Sequence, residues 1–176
     1  MKHLLATLMV TAQLGFGMSV AATGQQAAQR NDVGTQASTN AVAEVQHVID
    51  QYHEYVLAHD GTRLKELSLP NSLWLNVLTE DSYQRALAKD AQAKQIRTGS
   101  YEGFAAMVSS SKAHLNPTHS NLQIHTDGTV ASVFFDFVFY SDGKEQNRGS
   151  EIWVLVKGLD GWRIAAITYS SRPPAV

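Results

Sequence analysis

The chain has 176 residues, with 14 Lys or Arg, 16 Asp or Glu, no Cys and a formal net charge of −2. This length fits one globular domain with a tail. A hydrophobic content of 44% excludes wholesale disorder, and the near-neutral charge excludes a strong nucleic-acid footprint. Without cysteine, thiol catalysis, disulfide bonds and thiolate metal sites are excluded as well.

The first 22 residues have the pattern of a secretory signal peptide. Met1-Lys2-His3 gives a positive start, residues 4–18 are mostly apolar, and residues 19–22 (SVAA) resemble a cleavage site. The apolar stretch falls short of the roughly 20 residues that span a bilayer, which disfavours an uncleaved membrane anchor. We therefore expect cleavage near Ala21 or Ala22, a secreted or periplasmic location and no stable membrane anchor.

Residues 23–40 separate the predicted signal peptide from the predicted fold. They are rich in Gln, Ala, Thr and Asn and lack a periodic apolar stripe, which predicts a flexible spacer. The alternative is a helical extension of the element that follows. The folded domain is predicted to span residues 41–172.

The first half of this domain has helical patterning. Apolar residues recur at spacings of three and four from Val42 to Val56, which predicts an amphipathic helix that begins after Asn40 and ends at Asp60-Gly61. Four shorter elements follow: a helix at 62–69, a strand at 73–79, a weak helix at 81–95 and a helix that begins after Ser100 and ends before Pro117.

Three Asp-Gly pairs, at 127–128, 142–143 and 160–161, predict hairpin turns in the last third of the chain. As two-residue turns they set three facing pairs: Ile124 with Ala131, Phe137 with Arg148, and Val154 with Ile167. The predicted product is an antiparallel meander of four strands, near 121–126, 129–141, 145–157 and 162–171.

This register sorts the side chains into two faces, because direct cross-strand partners lie on the same side of a sheet. The first face is nearly continuous and apolar, and we expect the helices to pack on it; it includes Phe135, Phe137, Val154, Ile167 and Tyr169, interrupted by Arg148 and Ser150. The second face is mixed and suggests a homodimer interface; it includes Phe134, Asp136, Glu151 and Trp153. A bulge at Gly149 would exchange the faces of part of the third strand.

The order of these elements resembles the nuclear transport factor 2-like, or ketosteroid isomerase-like, superfamily. Several segments of residues 40–172 are similar to its SnoaL-like or lumazine-binding-type branch: Tyr101-Glu-Gly-Phe104, Phe135-Asp-Phe137, Asp142-Gly-Lys144 and Asp160-Gly-Trp-Arg-Ile164. The resemblance implies an α+β fold, in which helices pack on the concave face of a cone-like, curved antiparallel sheet with the cystatin-like order. The superfamily includes isomerases, cyclases, hydratases, epoxide hydrolases and non-catalytic binders, so the fold leaves the activity open.

The resemblance also implies an apolar pocket between the helices and the concave face. The side chains that we expect to reach it are Tyr52, Tyr55, Phe135, Phe137, Arg148, Ser150 and Tyr169. Aromatic walls with an arginine and several hydroxyl groups suit a small hydrophobic or aromatic molecule with a carbonyl or carboxylate group. The alternative is that Arg148 faces solvent and the tyrosines only pack; no cofactor is implied.

The sequence is also compatible with two other functions, an enzyme and an interaction module. In a cofactor-independent isomerase, cyclase or hydratase, Asp136 would move a proton with help from Tyr169, because flanking aromatic residues should raise the pKa of its carboxyl. The register places Asp136 on the mixed face, however, away from the pocket. In an interaction module, Phe134, Glu151 and Trp153 would instead mediate self-association.

The histidines do not predict a metal site. His47, His53 and His59 are spaced by six residues, so successive side chains on a helix diverge by about 120°. His114, His119 and His125 lack the spacing of metal ligands. The sequence also contains neither a nucleophile elbow nor a glycine-rich phosphate loop.

Overall fold

The computed structural model describes residues 21–174, with side chains described from residue 39 onward. The predicted signal peptide therefore lies almost entirely outside the described residues, and export stays a prediction. The chain divides into two units, Met1–Thr35 and Gln36–Val176. None of the helices within residues 21–174 combines the length and the apolar character needed to cross a membrane.

The first helix, α1, covers Ala21–Leu57. Residues 23–40, for which the sequence predicts a flexible spacer with a helical extension as the alternative, lie within this helix. Its alanines and glutamines have high intrinsic helix propensity, which does not depend on an apolar stripe.

Three shorter helices follow: α2 (Gly61–Glu66), α3 (Glu80–Lys89) and α4 (Tyr101–Ser110). Side chains cap two of them at the N-terminus. Asp60 accepts a hydrogen bond from the Arg63 amide over 2.9 Å, and Ser100 accepts one from the Gly103 amide over 3.0 Å. The sequence predicted all three helices; α2 and α3 end earlier than predicted, and α4 ends before Pro117 as predicted.

Six strands form one curved sheet: β1 (Ser68–Leu78), β2 (Ile96–Gly99), β3 (Leu115–Thr126), β4 (Val130–Ser141), β5 (Lys144–Gly158) and β6 (Gly161–Ser171). Their order is β2-β1-β6-β5-β4-β3. The predicted α+β class and the antiparallel meander β3–β6 are confirmed. The sheet is mixed rather than antiparallel, because β1 pairs in parallel with β6.

The register of β5 differs from the prediction by one residue. The Asp142-Gly143 turn has the predicted two-residue form, but Gln146 is an extra residue in β5, so that Phe137 faces Gly149 and not Arg148. A one-residue shift moves every following side chain to the other face. The bulge therefore lies at Gln146 instead of Gly149, and it affects the rest of the strand.

Burial shows the consequence along β5. Trp153 and Leu155 are fully buried on the inner face, whereas Ile152 and Val154 are 48% and 41% exposed on the outer face. The predicted faces of Val154 and Trp153 are thus both wrong. The faces predicted for β4 are correct, with Phe135 buried and Phe134 37% exposed.

The other two turns differ from the prediction as well. Ile124 faces Val133 rather than Ala131, a shift of two residues that preserves the faces. Near the third turn a register shift at Ala165 brings Ile164 inward, where it is 1% exposed. The core lies between the inner face of the sheet and helices α1 and α4, and its most buried members are Val45, Val56, Val108, Val133, Phe135, Trp153, Leu155, Ile164 and Ile167.

Candidate functional site

A cavity of about 230 Å³ lies on the inner face of the sheet, beside α1 and α4. Side chains from seven elements line it: Tyr52 of α1, Trp74 of β1, Phe104 and Met107 of α4, Pro117 and His119 of β3, Phe137 and Phe139 of β4, Asn147 and Glu151 of β5, and Tyr169 of β6. Most of these side chains are aromatic, and the polar groups are few. Such a composition is typical of small-molecule sites.

The aromatic walls contact one another. Tyr52 stacks on Phe104 with ring centroids 5.8 Å apart and meets Trp153 edge-on at 4.9 Å. Phe104 also lies 5.5 Å from Trp74, measured between ring centroids. These contacts stabilise the rings against one another.

A row of polar side chains crosses the inner face of the sheet. Register places Arg97 beside Asn76, Asn76 beside Tyr169, and Tyr169 beside Glu151. Direct cross-strand neighbours have Cβ atoms about 5 Å apart, so the Tyr169 phenol and the Glu151 carboxyl belong to one local group. The Asn76 side chain hydrogen-bonds the Tyr169 hydroxyl.

Glu151 is the acid of this site. Burial raises the pKa of its carboxyl to about 7, and the hydrogen bond from Trp153 only partly offsets this effect. That hydrogen bond runs from the indole Nε1 to Oε1 over 2.5 Å. A carboxyl with such a pKa is present in both protonation states near neutral pH, so it can take up or release a proton.

The two tyrosines beside Glu151 remain neutral phenols. Burial, followed by the nearby charge of Glu151, raises the pKa of Tyr52 well above its ordinary value. Burial also raises the pKa of Tyr169, although the hydrogen bond with Asn76 opposes this effect. Both hydroxyl groups can therefore donate hydrogen bonds.

His119 lies in the cavity wall as a neutral imidazole. Burial lowers its pKa to about 4, and the nearby His53 contributes in the same direction. The two imidazole centroids are 5.9 Å apart. Within residues 39–174, no group of three or more His, Asp or Glu side chains is placed to hold a metal ion.

Two residues of the cavity lining, Trp74 and Asn147, carry a donor without a protein acceptor among the described residues. The indole Nε1 of Trp74 is buried and has no hydrogen-bond partner among the described residues. Asn147 accepts hydrogen bonds at Oδ1 from the Ser171 hydroxyl and the Arg172 amide, each over 3.0 Å. Its Nδ2 group makes no hydrogen bond to the described residues and is available to a ligand.

The structure brings only part of the predicted pocket together. Tyr52, Phe137 and Tyr169 line the cavity as expected. Phe135 is fully buried behind it, against Trp153. Tyr55 lies elsewhere: its ring packs under the Arg63 guanidinium at 4.7 Å, and its hydroxyl accepts a hydrogen bond from Gln51.

Arg148 and Ser150 do not reach the cavity, because the Gln146 bulge places both on the outer face. Arg148 pairs with Glu145 through two guanidinium nitrogens. The Ser150 hydroxyl donates to Asp136 Oδ1 over 2.6 Å. The predicted arginine and serine of the binding site are therefore corrected to surface residues.

Asp136 also lies on the outer face. It accepts hydrogen bonds from Ser150 and from Asn121 Nδ2, the latter over 2.7 Å. These bonds lower the pKa of its carboxyl, whereas the sequence predicted a raised pKa. The structure thus gives Asp136 neither the cavity position nor the pKa that a proton shuttle needs.

The three residues predicted to form a dimer interface do not share one face of the sheet. Glu151 and Trp153 lie inside, whereas Phe134 remains on the outer face. The exposed apolar residues that β5 contributes to the outer face are Ile152 and Val154. A homodimer through the outer face stays a prediction.

Sequence reasoning missed eight of the eleven lining residues. Those with a hydrogen-bonding group are Trp74, His119, Asn147 and Glu151, and Glu151 had been assigned to the outer face. For His119 the sequence held one signal, the asparagine at position 121. Asn121 has a φ of 55° and lies at a register irregularity in β3, and asparagine tolerates a positive φ better than most residues. The irregularity gives His119 the partner Phe137, which also faces the cavity.

Comparison with known proteins finds similarity in structure alone. No known protein family and no curated protein matches this chain in sequence. A protein of Novosphingobium aromaticivorans described as NTF2-like with a cystatin-like fold has a TM-score of 0.53 and 14% identity, over 91% of this chain and 95% of the other. An NTF2-like protein of unknown function from Shewanella baltica has a TM-score of 0.54 and 16% identity, over 77% and 97%.

A third solved structure has a named activity. It is a candidate scytalone dehydratase from Novosphingobium aromaticivorans, with a TM-score of 0.59 and 13% identity, over 81% of this chain and 93% of the other. Such low identities establish the fold alone. The chain has the nuclear transport factor 2-like fold, which confirms the predicted resemblance at that level.

Proposed function

We propose that the cavity binds a small, mostly hydrophobic or aromatic molecule that carries a hydrogen-bonding group. The observation that supports this proposal is the convergence of aromatic walls and a few polar groups on one concave site. Its volume of about 230 Å³ lies below the roughly 300–1,000 Å³ of sites that take drug-sized ligands. A molecule of one or two rings fits this size.

The polar groups would orient such a molecule. Tyr52, Tyr169 and Asn147 each offer a donor, and the buried Trp74 Nε1 lacks an acceptor. An unpaired buried donor costs about 1–3 kcal/mol. A ligand oxygen that accepted a hydrogen bond from this indole would remove that cost. The remaining walls would contribute affinity through apolar burial.

A blocked cavity should lose binding. Met107 lines the cavity and is 40% exposed, so Met107→Trp would place an indole at its opening. Calorimetric titration with 2-naphthol should show binding to the wild-type chain and at least about tenfold weaker binding to this variant. Ala106→Trp, on the exposed side of the same helix, is the matched control and should bind as the wild type does. Equal affinities of all three proteins for 2-naphthol would contradict the proposal.

A second candidate function is proton transfer by Glu151. The observation that favours it is a carboxyl with a pKa of about 7 whose direct cross-strand partner is Tyr169. Glu151 would act as the general base, and a tyrosine hydroxyl would stabilise the negative charge that develops on the substrate. This assigns to Glu151 the role that the sequence suggested for Asp136.

A substrate with a weakly acidic C–H bond would test this second function. In 5-nitrobenzisoxazole a base removes the ring C–H proton while the N–O bond breaks, which yields a coloured cyanophenolate. The wild-type rate should rise with pH through about 7, as Glu151 loses its proton. Glu151→Gln should lower the rate by about a hundredfold or more, and Asp136→Asn should leave it unchanged. An unaffected Glu151→Gln variant would exclude this function.

A further inference from the structure

The cavity contains one acid and no cationic side chain. Glu151 is its only Asp or Glu among the described lining residues, and neither Lys nor Arg belongs to that lining. The wall histidine, His119, is neutral at physiological pH. Arg148, which the sequence placed among the ligand-binding residues, pairs with Glu145 on the outer face.

The Glu151 carboxyl is also incompletely bonded. Its side chain accepts one hydrogen bond, at Oε1, from the Trp153 indole. No other hydrogen bond or ion pair to this carboxyl is present among the described residues, and Oε2 is left for a ligand. A desolvated carboxylate without a counterion is costly, and a ligand that supplied positive charge would remove that cost.

The walls around this carboxyl are suited to a cation. The rings of Tyr52, Trp74, Phe104, Phe137, Phe139 and Tyr169 line the same space. Aromatic ring faces carry negative potential and attract ammonium groups, most strongly where water is excluded. Aromatic rings combined with one carboxylate are a typical arrangement for the recognition of quaternary or protonated amines.

We propose that the ligand of this cavity is a small organic cation, an ammonium group on an apolar or aromatic frame, held between Glu151 and the surrounding rings. This inference rests on the proposed binding function and specifies the charge of the ligand. An anionic ligand would meet Glu151 without a compensating cation. A neutral ligand would leave the carboxylate unpaired or require it to be protonated.

Two probes of nearly equal shape separate charge from size. Phenyltrimethylammonium and tert-butylbenzene differ in the central atom of the branched group, which is a charged nitrogen in one and a carbon in the other. Each is titrated into the full chain at pH 8 and followed by tryptophan fluorescence, because Trp74 lines the cavity. We expect the wild type to bind the cation at least about tenfold more tightly than the hydrocarbon.

Two variants of β5 test the origin of this preference. Glu151→Gln should reduce the preference for the cation by about tenfold or more while retaining affinity for tert-butylbenzene. Glu145→Gln removes an equal charge on the outer side of the same strand, next to Arg148, and should keep the wild-type preference. A preference that survives in Glu151→Gln would overturn the assignment of the cation to this carboxyl.

The remaining outcomes distinguish the two proposals. If the wild type binds tert-butylbenzene as tightly as phenyltrimethylammonium, the cationic ligand is overturned and the apolar binding function stands. If neither probe binds but 2-naphthol does, the cationic ligand is overturned and the binding function again stands. If none of the three compounds binds, the proposed binding function fails as well.

Discussion

Leu155→Ala should lower the free energy of unfolding by about 2–5 kcal/mol, whereas Val154→Ala should lower it by less than about 1 kcal/mol. Leu155 is fully buried against the helices, and its neighbour Val154 is 41% exposed on the outer face. Removing buried methyl groups loses their transfer free energy and leaves a cavity, while an exposed side chain loses little.

Urea denaturation at one pH measures both changes, with circular dichroism as the check that each variant is folded. The pair discriminates between two registers, because the uninterrupted hairpin predicted from the sequence puts Val154 inside and Leu155 outside. A larger loss for Val154→Ala would show that β5 has no bulge at Gln146. Glu151 would then face outward, and the two proposals that depend on it, proton transfer and a cationic ligand, would both fail.

Glu151→Gln should raise the free energy of unfolding by up to about 3 kcal/mol at pH 8 and change it little at pH 4. The pKa of this carboxyl rises from 4.5 to about 7 on folding, so the folded chain binds the proton more tightly than the unfolded chain. The contribution of Glu151 to stability therefore falls as the pH rises from about 4.5 to about 7. Glutamine does not titrate, and its amide oxygen can still accept the hydrogen bond from Trp153.

His119 contributes a slope of the opposite sign. Its pKa falls from 6.5 to about 4 on folding, so its contribution to stability rises as the pH increases from about 4 to about 6.5. Tyr52 and Tyr169, the other titratable groups beside Glu151, have raised pKa values and stay neutral here. In the wild type the two slopes largely cancel between pH 4.5 and 6.5.

Single variants should reveal each slope separately. The stability of Glu151→Gln should rise with pH over the range in which His119 titrates, and that of His119→Asn should fall over the range in which Glu151 titrates. Chemical denaturation at half-unit steps from pH 4 to pH 8 measures all three proteins. Parallel curves for the wild type and Glu151→Gln would show that this carboxyl is not desolvated.

The fold class could be predicted because its signals are local. Three Asp-Gly turns separate the strands of the meander, and helical spacing from Val42 to Val56 identifies the part of α1 that packs on the sheet. Strict alternation in β4 sets the faces of Phe134 and Phe135 correctly. Strand β2 gave no such signal, because Ile96–Gly99 is short and solvent-exposed, without a buried face.

The candidate site could not be predicted to the same extent, since it depends on the register of β5. Residues 152–156 (IWVLV) are all apolar, so either set of alternate residues would make an acceptable core. Only the pairing of Phe139 with Asn147 decides which set is buried. Arg148 and Glu151 were therefore assigned to the wrong faces, although both had been identified as noteworthy residues.

The extra residue at Gln146 has a consequence for how such a cavity can diversify. A hairpin of the same length without this bulge would pair Gln146 with Phe139, turning Arg148 and Ser150 inward and Glu151 outward. The chemical character of the cavity would change from acidic to basic without any substitution among its lining residues. A change near the turn that suppressed the bulge, which is ordinarily regarded as neutral variation in a loop, would thus act as a specificity change in this fold.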